Sequence, residues 1–198
     1  MFKEILRELK NHAPFTIFGA FTGIIIMLFS LKLPYRVSYN IFYIFHPLHV
    51  FLSALVTASM YKLRKEKLIL FAFLFIGYVG SVGIATLSDS VIPYISEVLL
   101  KMPNREMHFG FMEKWWLVNL FALIGIAVAY YKPRTKIPHS LHVLLSTWAS
   151  LFHIIMAKVE ILSWFSFITI FIFLFLAVWL PCCISDIIFP LLFIRKTQ

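Results

Sequence analysis

Six apolar stretches constrain this chain more than anything else in it. They run roughly over 14–31, 38–61, 68–87, 115–131, 138–157 and 163–184. Crossing ~30 Å of hydrocarbon takes ~20 helical residues, and each stretch comes close to that length. In such a solvent every backbone N–H and C=O must be satisfied within the protein, which leaves helices or closed barrels. Runs this long are unlike the short alternating strands of a barrel, so the sequence predicts an all-α polytopic membrane protein with six transmembrane helices. The composition agrees: 61% of the 198 residues are apolar and 14% charged, against ~45–50% and ~25% in a soluble domain. The lipid bilayer is the expected partner. Nucleic acid is not, because the net charge of +9 has a simpler source in membrane topology. A homo-oligomer is compatible with the sequence.

Basic residues supply that topology. The N-terminal arm carries Lys3, Arg7 and Lys10, the turn after the second stretch Lys62, Arg64, Lys65 and Lys67, the turn after the fourth Lys132, Arg134 and Lys136, and the C-terminus Arg195 and Lys196. These are twelve of the 18 Lys and Arg; Lys32, Arg36, Lys101, Arg105, Lys114 and Lys158 fall on the other side. The excess predicts both termini in the cytoplasm of a plasma or inner membrane. The first ten residues do not read as a cleavable signal. Phe2, Ile5, Leu6 and Leu9 oppose Lys3, Glu4, Arg7 and Lys10, the pattern of a helix lying on the membrane surface.

The chain also repeats itself. His46-Pro47-Leu48-His49-Val50-Phe51-Leu52-Ser53-Ala54 matches His139-Ser140-Leu141-His142-Val143-Leu144-Leu145-Ser146-Thr147 at six of nine positions, both histidines included. Ser88-Asp89 and Ser185-Asp186 are each followed by a proline four residues beyond the Asp, Pro93 and Pro190. Gly23-Ile24 and Gly125-Ile126 form a weaker pair. We read two three-helix halves, 13–100 and 101–198, after the surface helix 1–12. Three is odd, so the second half enters the membrane from the opposite side, as an inverted-topology repeat does.

Ionisable groups within a bilayer are expensive and point to function. Two histidines at i and i+3 share a helical face, and the end of the following helix returns to the same side. The expected constellation is two imidazoles facing one carboxylate in each half: His46 and His49 with Asp89, and His139 and His142 with Asp186, with Ser88 and Ser185 beside them. Imidazole and carboxylate suit a divalent transition metal of the zinc or iron class. The competing meaning is histidine at a helix start capping the backbone or carrying protons. Starting the second helix at Pro47 would make the two sets equivalent in depth, one near each face of the membrane; helix breaks at Pro93 and Pro190 would instead bring them together at mid-membrane.

Other residues carry less. His12 reads as a surface cap that could join the inner cluster, and His153, three turns beyond His142, as an interhelical hydrogen bond or a relay. His108 reads as solvated in a long outer loop, 88–113, and Glu113 as a surface pair with Lys114. Cys182 and Cys183 read as small buried apolar residues, a soft metal contact being the alternative. Gly77, Gly80 and Gly83 suggest close helix packing, and Trp115, Trp116 and Trp164 an aromatic belt.

These features favour a small transporter or permease for a divalent metal cation, with proton coupling through His and Asp. The alternative is an intramembrane metal-dependent hydrolase acting on a lipid or peptide. Distance separates them: sets ~20 Å apart favour transport, and sets within ~4 Å a dinuclear catalytic centre.

Overall fold

The computed structural model describes residues 2–65, 67–157 and 163–194, and every regular element among them is helical. Six helical segments follow one another: α1 (Phe2–Ser30), α2 (Tyr35–Arg64), α3 (Leu70–Leu99), α4 (Trp115–Tyr131), α5 (Lys136–Met156) and α6, which starts as Trp164–Cys183 and continues through a π-helical turn, Ile184–Ile188, into Phe189–Leu192. One further turn of helix, Gly110–Glu113, precedes α4. Among the described residues, four helices are long and apolar enough to cross a membrane: His12–Ser30 of α1, α2, α3, and Trp164–Cys183 of α6. α4 is apolar but only 17 residues long.

Side chains are distributed inside out. Phe29, Phe71 and Trp164 are 83%, 79% and 86% exposed, while His46, Thr57, Ser88, Asp89, His142 and Ser146 are wholly buried. Water would penalise that arrangement through the hydrophobic effect. A hydrocarbon solvent reverses the sign, so the pattern is compatible with a membrane protein.

α2 and α5 form the middle of the bundle, with α1 and α6 packed against α5 and α3 and α4 against α2. Successive segments alternate in direction. The indole N–H of Trp179, late in α6, donates to the Leu9 carbonyl at 2.9 Å, so both ends of the described chain lie at one end of the bundle. Small residues allow close approach. A Cβ at Gly77 would come within 2.8 Å of Ile126, and one at Gly80 within 2.7 Å of Thr57, whereas at Gly83 the nearest atom is 4.0 Å away. Of the three-glycine stripe, then, two positions set helix spacing. On α4, a Cβ at Gly125 would overlap the Phe51 carbonyl and meet Ala54; on α1, one at Gly19 would lie 2.9 Å from Thr147. Ala54 and Thr147 hold the same position in the two histidine motifs.

The helices differ from expectation at the prolines. Residues 1–12 are not a separate surface helix from the described Phe2 onward: α1 is continuous through Pro14. α1 runs on although Pro14 removes one backbone bond, a loss of about 3 kcal/mol in an isolated helix. α2 does not begin at Pro47 but at Tyr35, which puts His46 and His49 eleven and fourteen residues along, about 17–21 Å from its start. α3 does not end at residue 87. It passes through Pro93 to Leu99 by widening into π turns at Val79–Gly83 and Leu87–Val91. The expected long outer loop therefore shrinks to about residues 100–109, turned by Lys101 at φ 53°.

Candidate functional site

The site grows out of a local backbone irregularity. A proline in a helix lacks its N–H and its ring presses on the carbonyl four residues earlier. In α3 that carbonyl belongs to Asp89, and the π turn Leu87–Val91 absorbs the mismatch; in α6 Pro190 stands in the same relation to Asp186 within Ile184–Ile188. Turns of this kind recur at functional positions. Here the first one buries Ser88, Asp89 and Ser90 completely.

Asp89 receives a donor on each of its hydrogen-bonding faces. His46 Nδ1 and His49 Nδ1 lie 2.8 and 2.7 Å from Oδ2. The Ser88 and Ser146 hydroxyls donate to Oδ1 at 2.7 and 2.8 Å. With both imidazoles neutral, each donates its Nδ1–H to the carboxylate and keeps its lone pair on Nε2. Asp89 therefore meets His46 and His49 as expected, but as the acceptor that fixes their tautomers; the expected direct ligand role would require it to give up these bonds. His46 Nε2 points at Gly110, where any Cβ would overlap the ring.

Each Ser-Asp turn is held by the opposite half of the chain. Ser146 and Ser88 hydroxyls are 3.2 Å apart, and Ser53 and Ser185 hydroxyls also 3.2 Å. Ser150 donates to the Ser88 carbonyl at 2.9 Å, and Thr57 and Ser185 hydroxyls are 3.0 Å apart. Ser53 and Ser146 are equivalent in the two motifs, as are Thr57 and Ser150. The side chain of Asp186, the sixth expected ligand, lies outside the described residues.

The two histidine motifs converge. His49 and His142 stack with centroids 5.6 Å apart and planes 9° from parallel. His142 and His139 rings are 5.0 Å apart, and His139 and His12 rings 3.9 Å. One set near each membrane face is thus not what forms, because α2 begins twelve residues earlier than Pro47 and carries His49 down to the level of His142. His12 is buried among these rings and does not cap the surface. Cys182 of α6 joins them: one ligand atom from each of His49, His142 and Cys182 falls within 4.8 Å of the others.

Toward the opposite end of the bundle, Phe42 stacks on His46 at 5.2 Å and meets His153 edge-on at 5.6 Å. Beyond it lies a cluster that sequence reasoning missed. His153 Nε2 accepts from the His108 backbone N–H at 3.3 Å, so its proton sits on Nδ1 and is donated to Glu97 Oε1 at 2.7 Å. His108 Nδ1 faces Glu113 Oε1 at 3.0 Å, and Tyr39 donates to Glu113 Oε2 at 3.1 Å. His108 is buried rather than solvated, and Glu113 pairs with it and Tyr39, while Lys114 turns to the Tyr39 and Tyr43 rings. Glu97 carried no sequence signal beyond a charge in an apolar helix, which was itself the clue.

All seven histidines of the chain therefore lie in one file, His12–His139–His142–His49–His46, then Phe42, then His153–His108. Comparison of the chain with protein-family models, with curated proteins and with solved structures finds no match.

Proposed function

We propose that this protein is a six-span membrane transporter for a divalent transition-metal cation of the zinc or iron class, built from two inverted three-helix halves with both termini in the cytoplasm. The histidine file carries the reading. The histidine rings, with Phe42 between His46 and His153, succeed one another from the end of the bundle that holds His12 to the end that holds His108. Imidazole both ligates such cations and carries protons near neutral pH, so the file accommodates an ion and a coupled proton. Polar groups at this density within a bilayer are costly unless they line a pathway.

The paired contacts support the inverted repeat. Gly19 and Gly23 of α1 both face Thr147 as Gly125 of α4 faces Ala54, and the Ser88–Ser146 contact has its counterpart in Ser185–Ser53. Transporters of this build bind their cargo near the membrane midplane, at the interface of the halves. In this reading the stacked pair His49 and His142, brought together by α2 and α5, is that interface. Of the two arrangements the sequence left open, the reading takes the converged one, with the ion alternating between the two ends from a single central site.

Convergence of the sets is also what the intramembrane hydrolase would need. A hydrolase further requires room for a lipid or peptide at the metal. The decisive experiment is uptake of zinc, cobalt or iron(II) into proteoliposomes. We expect flux that rises with a proton gradient and is lost in His49→Ala and His142→Ala. Absence of flux together with metal-dependent turnover of a lipid or peptide would put the hydrolase in its place.

A further inference from the structure

The central histidines have a third neighbour that the transport reading does not require. We infer that Cys182 completes a His49–His142–Cys182 metal site, and that this site selects thiophilic divalent ions such as zinc, cadmium and cobalt over magnesium, calcium and manganese. The inference takes its cargo from the transport reading but concerns a ligand set that can be tested without transport.

The geometry is specific. The three residues come from α2, α5 and α6, are all buried, and offer ligand atoms within 4.8 Å of one another. A tetrahedral ion with bonds of ~2.0–2.1 Å to nitrogen and ~2.3 Å to sulfur would draw such atoms to ~3.3–3.6 Å, a contraction of about 1 Å that side-chain rotation can supply. Asp89 holds His49 by Nδ1 at 2.7 Å, which leaves Nε2 as the ring nitrogen directed to a metal. A carboxylate behind a ligating imidazole is the usual arrangement for fixing the tautomer and raising basicity. Cys183, equally buried and next in the chain, is not part of the group: successive helical residues point ~100° apart, and only Cys182 shares the α6 surface that packs on Val143, beside His142.

The chemistry follows from the ligands. One thiolate and two imidazoles form a borderline-soft set that disfavours hard oxygen-seeking ions. Three protein ligands leave a fourth position open, unlike a closed structural site, so an ion held here can leave. Binding exchanges one proton for the ion: the Cys182 S–H gives a sulfur–metal bond, and its proton passes to the aqueous phase.

Cobalt(II) reads the thiolate directly through its sulfur-to-metal charge-transfer absorption in the near ultraviolet. Full-length protein in detergent, titrated with Co²⁺, should show that band at one equivalent. Cys183→Ser should keep it, and Cys182→Ser should lose it while binding cobalt at least ~10-fold more weakly. If Cys182→Ser does not fold, as judged by gel filtration, Cys182→Ala serves for the same comparison, and suppression of the band by prior Zn²⁺ but not Mg²⁺ tests the site in the unaltered chain. In proteoliposomes the preference for Cd²⁺ over Mn²⁺ should fall ~10-fold in the Cys182 variant. A band that survives removal of Cys182, or none in the unaltered protein, overturns the site. Flux without the band would refute the site and leave the transport reading standing; the band without flux would do the reverse.

Discussion

Four donors share the two oxygens of Asp89, and the consequences of changing it follow from counting them. Hydrogen bonds to a charged group contribute about 1.5–3 kcal/mol each, and a buried donor left unpaired costs about 1–3 kcal/mol. Asp89→Asn keeps the shape: its carbonyl oxygen can accept from both imidazoles, and its NH₂ can donate to the serine hydroxyls, which rotate. We expect it to fold with a loss of about 1–2 kcal/mol in chemical denaturation while metal flux disappears with the charge. Asp89→Ala strands two imidazole N–H groups and should lose about 2–6 kcal/mol. Equal stability losses in the two variants would refute this account of the site. The pairing of Asp89 with His46 and His49 was legible in the sequence because i, i+3 spacing and a returning helix are local geometry. The parts contributed by Ser146 and Glu97 were not, since each meets its partner on a helix that is not its neighbour in the chain.

At the scale of elements, proline misled and glycine informed. Pro47 read as a helix start and Pro93 and Pro190 as breaks, because proline suits a first helical turn and kinks a helix interior. In this bundle α1 and α2 continue through Pro14 and Pro47, and π turns before Pro93 and Pro190 carry α3 and α6 through. The six apolar stretches were recognisable because hydrophobic length is a property of the stretch itself; where each helix stops depends on neighbours the sequence does not show. The glycines make a paired test. Gly125→Ala drives a methyl into the Phe51 backbone carbonyl, an immovable neighbour, and should destabilise the fold by at least about 2 kcal/mol. Gly83→Ala meets only Val79 at 4.0 Å and should be neutral or stabilising by up to about 1 kcal/mol, since alanine is the better helix former. Denaturation of both variants in the same detergent checks the sign of each.

For the whole molecule, the alternation of six helical segments places Arg64 and Asn104 at opposite ends of the bundle. With Cys182 and Cys183 left in place as buried thiols, single cysteines at 64 and 104 in sealed vesicles should react with an impermeant maleimide from opposite sides. Labelling of both from one side would remove the six-span topology and the inverted repeat with it. The two halves also interlock. The Ser-Asp turn of the first is gripped by Ser146 and Ser150 of the second, and that of the second by Ser53 and Thr57 of the first. Under the transport proposal, a motion that switches access between the two ends would have to break these hydroxyl contacts on both sides at once.

The file of histidines has one more consequence, for chemistry done on the protein from outside. Six of the seven imidazoles are buried and the seventh, His139, is only partly accessible. An acylating reagent that attacks imidazole nitrogen finds no wholly exposed target on the resting molecule. The rate at which such a reagent consumes these rings is then a clock for excursions that admit water, read residue by residue along the route. In most proteins that signal is swamped by surface histidines. Here the background is nearly absent, and each modified ring marks how far the opening has travelled from its end of the bundle.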